Sequence, residues 1–178
     1  MANREALRDL QTRLANRLQT AKAEGLSTSW LAVKAGGRNY LFPLGQSGEI
    51  FPLPPIQPVP YVRPWFVGVV NLRGGLHGVV DLAAFEAGGV QPPRPDRQQT
   101  EASVVTLNTA LEINCALLVD ALAGLRQVDA FKSLEPPPSN APSYWGNLYV
   151  EADGTRWQEI NLQQLAQLSD FLSIRAKV

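Results

Sequence analysis

Two residue types on which much catalytic chemistry rests are nearly missing from this 178-residue chain, which has one cysteine and one histidine. One cysteine excludes an intramolecular disulfide framework and any multi-cysteine metal site, and Cys115 lies in an apolar run that reads as core. Charge of either sign in excess is also missing, since 16 Lys and Arg balance 16 Asp and Glu. Without a net field there is no long-range attraction to nucleic acid or to an anionic membrane. No stretch approaches the roughly 18 uninterrupted apolar residues of a membrane span. At the start, Arg4, Arg8 and Arg13 alternate with Glu5 and Asp9 where a signal peptide would be apolar. These absences lead to the expectation of a cytoplasmic protein with no nucleic-acid partner and no direct membrane insertion.

Catalytic patterns are absent as well. His77 and Asp81 are four residues apart, which in a strand means one face but about 13 Å at roughly 3.3 Å per residue, too far for a hydrogen-bonded dyad. The glycine pairs 36–37, 74–75 and 88–89 lack the Lys-Ser/Thr ending of a P-loop, and no Gly-x-Ser-x-Gly elbow occurs. The expectation is a protein that is not an enzyme, with no cofactor and no metal. A hydrolase working through His77 is the reading least supported.

What is present is turn chemistry. Fourteen glycines and fourteen prolines punctuate the chain too often for a helical bundle and suit short strands joined by turns. The exception is residues 2–24, where Leu7, Leu10, Leu14 and Leu18 recur at helical spacing and form one apolar stripe, a surface for the body or for a partner. Strands are expected over Trp30–Val33, Tyr40–Phe42, Glu49–Leu53, Val67–Leu72, Gly75–Asp81, Val104–Leu107, Ile113–Asp120, Trp145–Val150 and Arg156–Ile160. A short turn through Ala84 and Phe85 follows Asp81, and Leu122–Leu134 is weakly patterned. Trp65, beside the prolines of 52–64, is expected to be partly exposed, and Asn161 with Gln164 marks the start of a closing helix.

The polar, proline-rich stretch from Gly88 to Glu101 divides two similar halves. The organisation expected is an N-terminal helix over 1–26, a body over 27–172 with one barrel at about 27–90 and a second at about 101–165 that share elements, and a tail at 173–178. Two packed barrels leave a groove between them. The turn after Val67–Leu72 carries Arg73 beside Gly74 and Gly75, so a guanidinium stands at the tip of a hairpin, to bind a partner or to brace a neighbouring loop.

The residues Gly68-Val69-Val70-Asn71-Leu72-Arg73-Gly74, then Val79-Val80-Asp81-Leu82 and Leu117-Leu118-Val119-Asp120, resemble the signature of the CheW-like domains of bacterial chemosensory systems. The ending Tyr144 to Tyr149 and Gly154 to Leu162 resembles adaptors of the type IV pilus (twitching motility) pathway. The resemblance implies a mainly β fold of two packed five-stranded SH3-like β-barrels, with the N-terminal amphipathic helix and a short C-terminal helix added. It implies an adaptor joining the cytoplasmic tip of a methyl-accepting chemoreceptor to the regulatory domain of a CheA-type histidine kinase. In that scheme the receptor lies in the inter-barrel groove near Asn71, Leu72, Arg73 and Gly74, with Val104 and Ser47 as further contacts and Leu7, Leu10, Leu14 and Leu18 as a possible docking helix. The chain departs from the family pattern at Gly78, where proline is common, and at His77. The alternative to an adaptor is a small-ligand-binding β-barrel, which needs an enclosed apolar cavity.

Overall fold

The computed structural model describes residues 5–6, 8–14, 29–89 and 100–174. Eleven strands lie in two sheets among them. They are β1 (Ser29–Ala35), β2 (Arg38–Pro43), β3 (Ser47–Pro52), β4 (Phe66–Leu72), β5 (Gly75–Asp81), β6 (Ser103–Leu107), β7 (Cys115–Val119), β8 (Ala121–Gln127), β9 (Phe131–Glu135), β10 (Trp145–Glu151) and β11 (Arg156–Ile160). Two short helices each follow a strand, α1 (Leu82–Glu86) and α2 (Leu162–Gln167), and α3 (Ser169–Leu172) follows α2. One sheet runs β8-β1-β2-β11-β10-β9 and the other β3-β6-β7-β5-β4.

The sheets do not divide at the proline-rich stretch. The β1–β2 hairpin is inserted between β8 and β11, and the β6–β7 hairpin between β3 and β5, so each half of the sequence lends a hairpin to the other's sheet. Two of the joints are parallel, β2 with β11 and β5 with β7, which only distant segments can make. Each sheet thus draws strands from both 27–90 and 101–165. One sheet has six strands where five were expected, because Leu122–Leu134 forms β8 and β9 around a 3₁₀ turn at Val128–Ala130.

Lent strands sit centrally and are buried on both faces. In β7, Cys115, Leu117 and Val119 join the core between the barrels, while Ala116 and Leu118 fill one barrel with Val70, Leu72 and Val104. In β1, Leu31, Val33 and Ala35 face the same inter-barrel core, while Trp30 and Ala32 enter the other barrel with Leu41, Tyr149 and Trp157. That explains why these strands read as unbroken apolar runs.

The first prolines of 52–64 follow β3, and the segment covers the outer edge of β4 through the Gln57–Val69 bridge. The approach is so close that a Cβ on Gly68 would run into the Gln57 carbonyl, which requires glycine there. Trp65 is buried rather than partly exposed, because Phe171 stacks on its ring at 6.2 Å and Phe85 meets it edge-on at 5.1 Å. The expected turn at Ala84 and Phe85 is α1, capped by the Asp81 side chain accepting from the Ala84 amide at 3.3 Å. A 3₁₀ turn at Thr109–Leu111 delays β7 until Cys115. Asn161 Oδ1 accepts from the Gln164 amide at 3.0 Å and caps α2, but the Asn161 amide itself donates to Tyr144, so the cap is not reciprocal. The stretch Gly88–Glu101 is described only at residues 88–89 and 100–101, and its middle lies outside the described residues.

Candidate functional site: a groove between the barrels

Leu72 pairs with Gly75, which leaves Arg73 and Gly74 as a two-residue hairpin loop. Both have positive φ, 50° at Arg73 and 81° at Gly74, the pairing a type I′ turn requires. Arginine therefore occupies a left-handed position, and Gly75 does not. Asn71 Oδ1 accepts from the Gly74 amide at 2.9 Å and secures the turn. The guanidinium reaches β3: Arg73 Nη1 lies 2.9 Å from Glu49 Oε1, and Cζ sits 5.9 Å from the Phe51 ring centre. Two strands separate β3 from β5 in the sheet order, so this contact crosses the seam where the sheet curls on itself. Arg73 is a brace and also a surface group, because its side chain stays 74% exposed and that of Glu49 53%.

Strand register locates a second feature, which sequence reading missed. On β8, Leu125 lies opposite Leu31 and Leu122 opposite Val33. Directly opposed residues share a face. Leu31 and Val33 belong to the inter-barrel core, so the two leucines continue that layer outward, Leu125 with 61% of its surface exposed. On the other sheet Ile50 lies opposite Val105, also in the inter-barrel core, and is exposed in its turn. Leu44 is exposed in the turn by which the chain crosses from β2 to β3. Leu122, Leu125, Ile50 and Leu44 thus stand exposed around the layer between the barrels, while Glu49 and Phe51, which alternate with Ile50 along β3, hold Arg73 on the other face of that strand.

Of the residues expected to line the groove, Asn71, Arg73 and Gly74 are exposed. Leu72 and Val104 are corrected to barrel interior, since both are buried and pack together with Val70 and Leu118. Ser47 is buried and donates from Oγ to the Pro43 carbonyl at 3.0 Å, so it serves the β2–β3 crossing and offers no contact surface. Leu10 and Leu14 are half-buried on helical residues 8–14, and Leu7 and Leu18 lie outside the described residues.

The other reactive groups are committed elsewhere. His77 Nδ1 lies 3.1 Å from the Gly75 carbonyl in its own strand. Burial pushes the Cys115 thiol up to about 12, far from a reactive thiolate. At the barrel junction, Glu86 accepts from Trp145 Nε1 at 3.0 Å and from the Tyr144 hydroxyl. Burial raises the Glu86 carboxyl above its ordinary value, and burial together with the Glu86 charge holds Tyr40 at about 12. Among the described residues no group of three His, Cys, Asp or Glu has metal-binding geometry. A cleft of about 520 Å³ is walled by Pro136–Pro138, Tyr40, Trp145, Arg38 and Arg156 on the outside of the six-stranded sheet.

Comparison with known proteins agrees with this geometry. A family model described as the CheW-like domain matches residues 29–170. Protein PilI of Pseudomonas aeruginosa is 30% identical over 166 residues, which cover 91% of this chain and 88% of that protein. The crystal structure of the scaffolding protein TtCheW from Thermoanaerobacter tengcongensis aligns with a TM-score of 0.62 at 17% identity, covering 76% of this chain and 89% of that one, and so shares its fold. The resemblance carried by Asn71-Leu72-Arg73-Gly74 and Val79-Val80-Asp81-Leu82 holds.

Proposed function

The chain belongs to the CheW-like domain family, and from that premise we propose that it is a cytoplasmic, non-enzymatic adaptor coupling chemoreceptors to a CheA-type histidine kinase, in the array that governs type IV pilus twitching motility. The relative named PilI supports the pilus assignment. The receptor's cytoplasmic helical hairpin lies along the inter-barrel groove and is read by its apolar face and by one polar anchor. Leu122, Leu125, Ile50 and Leu44 accept the apolar face. Arg73, held upright by Asn71 and the turn, offers a forked donor to receptor carboxylates or to helix-end carbonyls. Coupling is mechanical: receptor in the groove and kinase on a barrel end are held in a geometry whose small changes bias kinase activity.

The observation that carries this reading is the presence on one molecule of exposed apolar residues around the inter-barrel layer, Leu122, Leu125, Ile50 and Leu44, and of an exposed arginine at a hairpin tip. Exposed apolar residues grouped in this way mark an interaction site rather than a folding requirement. The small-ligand alternative needs an enclosed cavity, whereas side chains fill both barrels. Leu125→Glu and Arg73→Glu should each weaken binding of the cognate receptor's cytoplasmic fragment at least tenfold with circular dichroism unchanged. Full binding by both folded variants would move the receptor off the groove.

A further inference from the structure

A second occupant for the groove is carried by the chain itself. Residues 8–14 are helical, with Asp9 paired to Arg13 one turn on at 3.1 Å and Thr12 Oγ1 donating to the Arg8 carbonyl at 2.8 Å. Leu10 and Leu14, four residues apart, lie on one face of this helix and are half-buried. An apolar helix face and exposed apolar residues of the body thus sit on one molecule.

The tether favours their meeting. The chain enters the fold at Ser29, which pairs with Gln127 on β8, and two residues later Leu31 lies opposite Leu125. The helix is therefore anchored on the strand next to the one that displays Leu125 and Leu122. Fourteen residues, 15–28, lie between Leu14 and Ser29 in the sequence. Gln127 to Leu122 along β8 is only about 17 Å at roughly 3.3 Å per residue. Contacts made within one chain are favoured over the same contacts between separate molecules, so even weak apolar contacts can be populated. A helix carrying apolar residues at i and i+4 is also the shape that a receptor hairpin presents.

We propose that the N-terminal helix docks through Leu10 and Leu14 into the inter-barrel groove of its own chain and competes there with the receptor. The docking rests on the groove alone, while the competition rests on the receptor assignment above. Receptor engagement displaces the helix, so the adaptor's apparent affinity is lowered by the fraction of time the groove is filled.

The test uses the full chain with Gln11→Cys and Gln127→Cys introduced together. Native Cys115 is buried and stays out of the reaction. Mild oxidation should give a disulfide within the monomer, and adding Leu10→Glu and Leu14→Glu should slow its formation at least tenfold. The same two Leu→Glu changes in the otherwise native chain should raise affinity for the receptor fragment three- to tenfold. Absence of the intramolecular disulfide, or its formation only between two copies, overturns docking in cis. A disulfide that forms as expected while receptor affinity does not move upholds docking, overturns competition and removes the receptor from the groove.

Discussion

Arg126 Nε lies 2.8 Å from Glu151 Oε1 and joins β8 to β10, strands with three others between them in the sheet order. It is the counterpart of the Arg73–Glu49 pair: each crosses the seam of one barrel, and each guanidinium also lies over an aromatic ring, Trp157 at 5.2 Å for Arg126 and Phe51 for Arg73. The two differ in solvent. The Arg126 and Glu151 side chains are 26% and 19% exposed, against 74% and 53% for Arg73 and Glu49.

That contrast separates a structural pair from a surface one. Arg126→Ala strands a half-buried carboxylate and the Ala123 carbonyl that Nη1 serves at 2.8 Å. It should cost about 1–3 kcal/mol. Arg73→Ala leaves water to solvate Glu49 and should cost about 0–1 kcal/mol. Urea denaturation of the two variants measures the difference. Equal losses would mean that both seams depend on their ion pairs and that Arg73 is chiefly a brace.

Glu86 makes stability depend on pH in a direction opposite to that of most carboxylates. Burial is the largest influence on it and raises its carboxyl above the ordinary 4.5, against the opposing hydrogen bonds from Trp145 and Tyr144 and the charge of Arg38. A folded-state value above the unfolded one means that the folded protein holds the proton more tightly. The contribution is therefore full below about 4.5 and is lost as pH rises through the higher folded value. Relative to Glu86→Gln, the native protein should lose stability between pH 4.5 and pH 7.5. Denaturation midpoints of both proteins across that range test it, with Trp145 emission as a local reporter of the same titration. A native protein that gains on the Gln variant as pH rises would show that the hydrogen bonds outweigh burial.

The parts of the fold that announce themselves locally were legible in the sequence. Asp153-Gly154 between two apolar runs marks the β10–β11 hairpin, and Asn161 marks the start of α2. What was not legible depends on pairing between distant segments. Leu122 and Leu125 look like scattered leucines until β8 lies beside β1, some ninety positions earlier, and only then do they line up with Leu31 and Val33. Val104 and Leu72 pointed the other way: family position drew attention to them, but their pairing partners face the barrel interior. Trp65 looked exposed because prolines surround it in sequence, whereas its cover, Phe171, comes from the far end of the chain. Arg73 was legible as a turn residue, and the structure places it exposed at the hairpin tip.

Its backbone makes the functional claim testable through stability. A φ of 50° is unfavourable for arginine, whose Cβ crowds the following carbonyl, and the preferred sequence for this turn is Asn-Gly. Arg73→Asn keeps Gly74, relaxes the left-handed position and gives up only an exposed ion pair. It should raise unfolding free energy by about 0.5–1 kcal/mol while weakening receptor binding at least tenfold. A residue that impairs its own turn persists when it does something the better turn residue cannot. Urea midpoints and receptor-fragment titrations on one preparation give both numbers. Stability that falls in Arg73→Asn would assign the strain to a brace that the fold needs, and unchanged binding would take the anchor role from Arg73.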